Sequence, residues 1–162
     1  MKLTNYAALS FLFVLSACSS DPVQKDLLNY VNTELPKVAS LETEAVNGYA
    51  SVSGENYTSD SAMYYTIKQT VLPKYEEFNT KLNTIQPSTP EVKAMHQEYI
   101  NAAGDQMEAF KLICLAIEKQ DPEIIKQANS DLAKGRALLD VWRNDLDEQC
   151  KKHDIKLDAD KK

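Results

Sequence analysis

Cys150 and His153 stand three residues apart, with Asp147 before them and Asp154 after, and thiol, imidazole and carboxylate are the common ligands of a transition metal. Three- and four-residue spacings bring such groups to one face of a helix. The cluster falls where the last helix is expected to fray, which fits a solvated charged surface, and no metal site is expected. A second candidate is Glu42, an isolated acid at a position where apolar residues are expected. A buried carboxyl of that kind can do acid–base work when its pKa is raised. Gln106 occupies a similar position further along, and the two are expected to meet or to be watered.

Catalytic patterns are missing around these residues. The chain has two histidines, His96 and His153, expected on different helices. It contains no Gly-rich phosphate loop, no G-x-S-x-G, no C-x-x-C-H and no Glu-x-x-His repeat of the di-metal helical proteins. An enzyme is not expected, and neither is a cofactor. A different kind of surface is offered by Gly48, Tyr49, Gly54, Glu55, Asn56, Tyr57, Tyr64 and Tyr65. Tyrosine combines a large contact area with a polar tip and little entropy to lose, as binding surfaces require. Glu55, Asn56, Tyr57 and Tyr65 are the candidate partner-binding residues. The competing reading makes Tyr49 and Tyr64 core residues and Tyr57 a cover for the end of the domain.

The elements that position these residues follow from punctuation and period. Asp21-Pro22, Ser88-Thr89-Pro90-Glu91 and Asp121-Pro122 each set a capping residue before a proline at a first helical position. The first helix carries Leu28, Val31, Leu35, Val38, Ala45, Tyr49 and Val52 at three- and four-residue steps. The second, over about 61–85, carries Tyr64, Ile67, Val71, Tyr75, Phe78, Leu82 and Ile85. The third carries Val92, Met95, Tyr99, Ala103, Phe110, Ile113, Cys114 and Ile117. The fourth carries Ile125, Ala128, Leu132, Leu139, Trp142 and Leu146. SGENYTSD over 53–60 and QPSTP over 86–90 break the pattern. Four long helices with short loops predict a single all-α, up-down-up-down antiparallel four-helix bundle over 22–153, with a charged tail over 154–162.

Pro36 and Pro73 lie inside the first two helices, each in a Leu-Pro-Lys triplet, and an interior proline kinks a helix. Counted from one end, both are expected at about 20 Å by the helix rise, with Gly104 and Gly135 near the same height. The sequence reading is a coordinated bend there, with a ligand cavity lined by Pro36, Glu42, Leu72, Pro73, Ala103 and Gln106 as the alternative. Cys114 and Cys150 would lie roughly 30 Å apart in an antiparallel hairpin, too far for a disulfide. Cys114 is expected inside, and Cys150 as a free or intermolecular thiol.

The start of the chain places the domain. MKLTNYAALSFLFVLSACSS has one cation, Lys2, then an apolar run from Ala7 to Leu15 that is far too short to span a membrane, then small residues. Leu15-Ser16-Ala17-Cys18 resembles the lipobox of bacterial lipoproteins. That resemblance covers residues 1–20 and implies a signal peptide over 1–17, acyl chains on Cys18 and a short tether over 18–21. Several acyl chains hold a protein to a bilayer where one does so only marginally. Ser19 after the cysteine implies the outer membrane if the host is Gram-negative. Of 18 cations and 24 anions only Lys2 falls in the leader, so the mature charge is −7, which disfavours nucleic acid and anionic lipid as partners. The expected function is a membrane-anchored extracytoplasmic protein that binds another envelope or incoming macromolecule. An immunity or exclusion role is one form, by analogy alone. The alternative is a small-molecule carrier using a mid-bundle cavity.

Overall fold

The two Leu-Pro-Lys triplets decide how the first half of the chain is divided. The computed structural model describes residues 21–156, so Cys18, the leader and the end of the charged tail lie outside the described residues. Within them the chain is all-helical, without strands. Helix α1 (Pro22–Asn29) passes through a π turn at Tyr30–Glu34 into α2 (Pro36–Ala50). After a 3-10 turn at Gly54–Asn56, α3 (Asp60–Thr66) passes through a second π turn, Ile67–Val71, into α4 (Leu72–Leu82). Two long helices follow, α5 (Pro90–Lys119) and α6 (Pro122–Lys152).

Where the sequence predicts one kinked helix over each proline, the structure therefore has two helices joined by a π turn. Pro36 and Pro73 lack an N–H, and their rings would press on the carbonyl four residues back. The backbone adjusts just ahead of each. Leu35 N–H donates to the Tyr30 carbonyl at 2.9 Å, and Leu72 N–H donates to the Ile67 carbonyl, in both cases five residues back. The wider turn takes up one extra residue while Asn29, Leu35, Thr66 and Leu72 keep right-handed helical angles.

That extra residue moves the buried stripe. Val23, Leu27 and Tyr30 are buried before the first π turn, and Val38, Leu41 and Ala45 after it. An unbroken alternation of three and four from Tyr30 would have reached residues 37 and 44. The predicted stripe through Leu28, Val31 and Leu35 is accordingly displaced by one residue: Leu28 is 41% exposed, and Val31 and Leu35 are only partly covered. In the second stripe the double step of four, Ile67-Val71-Tyr75, coincides with the π turn, and all three side chains are buried.

The most extensive packing is α5 on α6, with α2 on α4 next. One core cluster draws on α1, α2, α4, α5 and α6, and its aromatic rings touch in sequence. Tyr75 meets Phe78 and Phe110 edge-on at 5.2 and 5.3 Å, and Tyr99 stacks on Trp142 at 4.1 Å. At one end the start of α1, the α4–α5 turn and the end of α6 meet. Asp26 bonds Thr89, Gln24 Nε2 donates to the His153 carbonyl at 2.7 Å, and His153 Nδ1 lies 2.5 Å from Asp21 Oδ2. At the opposite end Asp60 lies beside Gln120 and Asp121.

The single proline layer is not formed. Lys74 pairs with Glu44 at 2.7 Å, and a Cβ on Gly48 would lie 3.3 Å from Val71. Pro73 is thus level with the upper half of α2, about 14 Å by the helix rise above Pro36. Only Gly104 and Gly135 share a level, at the α5–α6 crossing, where Gly135 faces Ala102 and Gln106. Cys114 and Cys150 are free thiols, and both are buried. Cys150, 1% exposed, continues the stripe of Leu139, Trp142 and Leu146 and is no surface thiol.

Candidate binding grooves

Helical spacing puts two polar faces opposite one another. On α2, Glu42, Thr43, Val46 and Asn47 share one side of the helix, and on α6 so do Arg136, Leu139, Asp140 and Arg143. Along this seam α2 and α6 barely approach, since α6 is engaged by α5 and α2 by α4. The result is a groove of about 450 Å³, with Gln106 of α5 at its floor.

Each polar group there has a distinct status. The Tyr99 hydroxyl donates to Glu42 Oε2 at 2.6 Å. Burial pushes the Glu42 carboxyl up, against the pull of that bond and of the Arg143 charge. Arg143 Nη1 is 3.1 Å from Asp140 Oδ1. Arg136, among the described residues, makes no ion pair. Gln106 is 5% exposed, and its Nε2 is buried without a partner. The absence of a side chain on Gly135 leaves room for it: a Cβ there would sit 2.7 Å from Gln106 Cγ.

The predicted cavity-lining residues are thereby separated. Glu42 and Gln106 line the same groove, although Glu42 takes its hydrogen bond from Tyr99. Ala103 is fully buried in the core. Leu72 lines a different hollow of about 290 Å³ on the outer side of α5, with Lys68, Lys111 and Glu118. Pro36 and Pro73 are both exposed. Arg136 and Arg143 were not singled out by spacing arguments. The signal available was composition: they are the chain's two arginines and stand seven residues apart, on one helix face.

The predicted partner-binding residues sit at the far end. Tyr57 is 47% exposed, with its hydroxyl on Asp60 Oδ1 at 2.9 Å. Asn56 Nδ2 donates to the Ala50 carbonyl at 3.0 Å, and Glu55 is exposed on the 3-10 turn. Tyr65 is 56% exposed and meets Tyr64 edge-on at 5.5 Å. Tyr49, half-buried, lies against Phe110 at 5.1 Å. Beneath Tyr57 lies a groove of about 450 Å³ whose walls include Tyr49, Met63, Ile113, Ile117 and Ile125. Tyr57 therefore borders an apolar groove and does not fill it. Tyr65 is not among its lining residues.

Among the described residues no three metal-ligating side chains gather. Cys150 points into the core, His153 is engaged by Asp21, and Asp147 pairs with Lys151. No described helix is long and apolar enough to cross a membrane. No family model matches the chain, and neither a curated protein nor a solved structure matches it.

Proposed function

We propose that this chain is a lipid-anchored extracytoplasmic protein that acts by binding, without catalysis, and engages a protein partner at the end opposite its anchor. The observation that carries this reading is the distal groove: six apolar or aromatic side chains around about 450 Å³, with Tyr57 half exposed at its edge. Interfaces are enriched in tyrosine that can bury a ring and satisfy a hydroxyl. The Tyr57–Asp60 bond gives the ring a fixed position from which to do so. With each π turn taken as a bulge within one rod, the architecture reads as an up-down-up-down four-helix bundle. Acyl chains on Cys18 then put α1 and the α4–α5 turn toward the membrane, with Tyr57 farthest from it. Under this reading an outer-membrane address follows from Ser19 in a Gram-negative host.

Photocrosslinking from position 57 of the full chain in its own envelope tests the proposal. One dominant adduct, lost when Met63 and Ile117 are both changed to Asp with helicity retained, is the expected result. A pattern no different from crosslinking at exposed Glu91, near the opposite end, would overturn it.

A further inference from the structure

We propose that the groove between α2 and α6 binds a carboxylate, held by the Arg136 guanidinium and the Gln106 amide. This site lies apart from the distal groove and does not depend on the reading given there. Three observations converge. Both arginines of the chain face this one groove, against sixteen lysines elsewhere in the sequence. Arginine is the side chain whose planar fork matches a carboxylate with two parallel hydrogen bonds. Asp140 already holds Arg143, which leaves Arg136 as the unengaged fork. Gln106, finally, is 5% exposed and lines the groove, and its amide nitrogen, enclosed behind that surface, has no partner. Buried amides in folded proteins are hydrogen-bonded, and an unpartnered one in a groove that also carries an unpaired guanidinium favours an acceptor there.

The groove also orients what it binds. Val46 and Leu139 give it apolar walls. Glu42 is bonded to Tyr99, which stacks on Trp142 next to Arg143, whereas Gln106 packs on Gly135 next to Arg136. The acid and the free guanidinium therefore lie at different levels of the groove. Seven residues of α6 separate the two levels, about 10 Å. Glu42 repels a second carboxylate at its end and accepts from a donor. The best ligand thus carries one carboxylate, an apolar middle and an amino group about 10 Å away. A volume of about 450 Å³ falls within the range of small-molecule sites.

The test is titration of the full chain in detergent, followed through the side-chain amide of Gln106 and the Nε–H of Arg136 by nitrogen–proton NMR. The probes are octanoate, octanedioate, 8-aminooctanoate and the blocked peptide acetyl-Gly-Glu-Gly-amide. Saturable shifts of both signals are expected, with 8-aminooctanoate tightest. Arg136→Ala should weaken binding at least tenfold with an unchanged backbone spectrum, and Arg136→Lys by less. Glu42→Gln should weaken 8-aminooctanoate and leave octanoate unaffected. Saturation by the peptide alone would keep the carboxylate site and assign its source to a polypeptide. No saturable shift with any probe, or shifts that persist in Arg136→Ala, would overturn the proposal.

Discussion

Asp26 Oδ2 accepts the Thr89 backbone N–H at 2.7 Å, so a carboxylate on α1 holds the residue that leads into α5 across 63 residues of sequence. Ser88 N–H and the Thr89 hydroxyl converge on the same oxygen, at 2.8 and 2.7 Å. Thr89 itself supplies no side-chain cap. The two N–H groups that lead into α5 are satisfied from another helix, which ties the chain's start to the middle turn.

Asp26→Ala would leave two buried or half-buried N–H groups and a hydroxyl unpaired. Charged hydrogen bonds of this kind contribute about 1.5–3 kcal/mol each, and three on one oxygen do not add in full, so a loss of about 3 kcal/mol of stability is expected. Urea unfolding checks it. Burial pushes the Asp26 carboxyl up, but the bonds from Thr89 and Ser88 outweigh that and hold it below 3.8. Its contribution is therefore full above the unfolded value and is lost as pH falls through the lower folded one. The variant's deficit should shrink in strong acid. A deficit that stays constant to the acid transition would contradict this role for the ionised Asp26.

Gly104 and Gly135 share a level yet should respond oppositely to alanine. A Cβ on Gly104 meets nothing within 4 Å, so Gly104→Ala should stabilise by about 1 kcal/mol through helix propensity. On Gly135 a Cβ would lie 2.7 Å from Gln106 Cγ and 3.1 Å from the Ala102 carbonyl oxygen. Gly135→Ala should cost about 1–3 kcal/mol through overpacking. Denaturation midpoints of the two variants, measured side by side, decide the matter.

His96 is 4% exposed between Tyr30 and Leu82, with Nδ1 3.0 Å from the Tyr30 hydroxyl and Nε2 3.2 Å from the Leu82 carbonyl. The tautomer that satisfies both carries its proton on Nε2. Burial holds the imidazole below 6.5, against the pull of the Leu82 carbonyl. The unfolded chain then binds a proton that the folded chain refuses, so stability should fall as pH drops below about 6.5. Glu42, whose carboxyl is raised, acts in the opposite sense, because its ionisation costs stability as pH rises above 4.5. The histidine term is isolated by comparing pH-dependent stability with that of His96→Gln, which should be flatter between about pH 5 and 7. Equal slopes would mean that His96 takes up its proton in the fold.

Gln120 closes α5 in the left-handed region at φ 52°, with its own N–H on the Ile117 carbonyl and the Asp121 N–H on Ala116. Glycine adopts that conformation without a Cβ penalty. Gln120→Gly is expected to raise stability by about 0.5–1 kcal/mol, read from the thermal midpoint. A lower midpoint would show that the glutamine side chain has a role at that turn.

What the sequence determined by itself is whatever short-range chemistry controls. Capping residues before Pro22 and Pro122 set the starts of α1 and α6, because a cap and its helix lie within four residues. Before Pro90 the sequence marks the start of α5, but the Thr89 side chain does not cap it. The stripes of α5 and α6 were legible because nothing interrupts their period. The tyrosine-rich turn was likewise recognisable as exposed. The π turns depended on tertiary packing: a proline signals that the ladder must change, whereas burial on both sides of it decides that one residue is taken up. That shift turned Leu28 outward and Tyr30 inward. The relative height of Pro36 and Pro73 was also beyond local rules, since the axial offset between rods is fixed by interlocking side chains such as Val71 against Gly48. The Arg136–Gln106 groove belongs to the same category. It exists because α5 claims one side of α6 and α4 claims one side of α2, and no single helix carries that information.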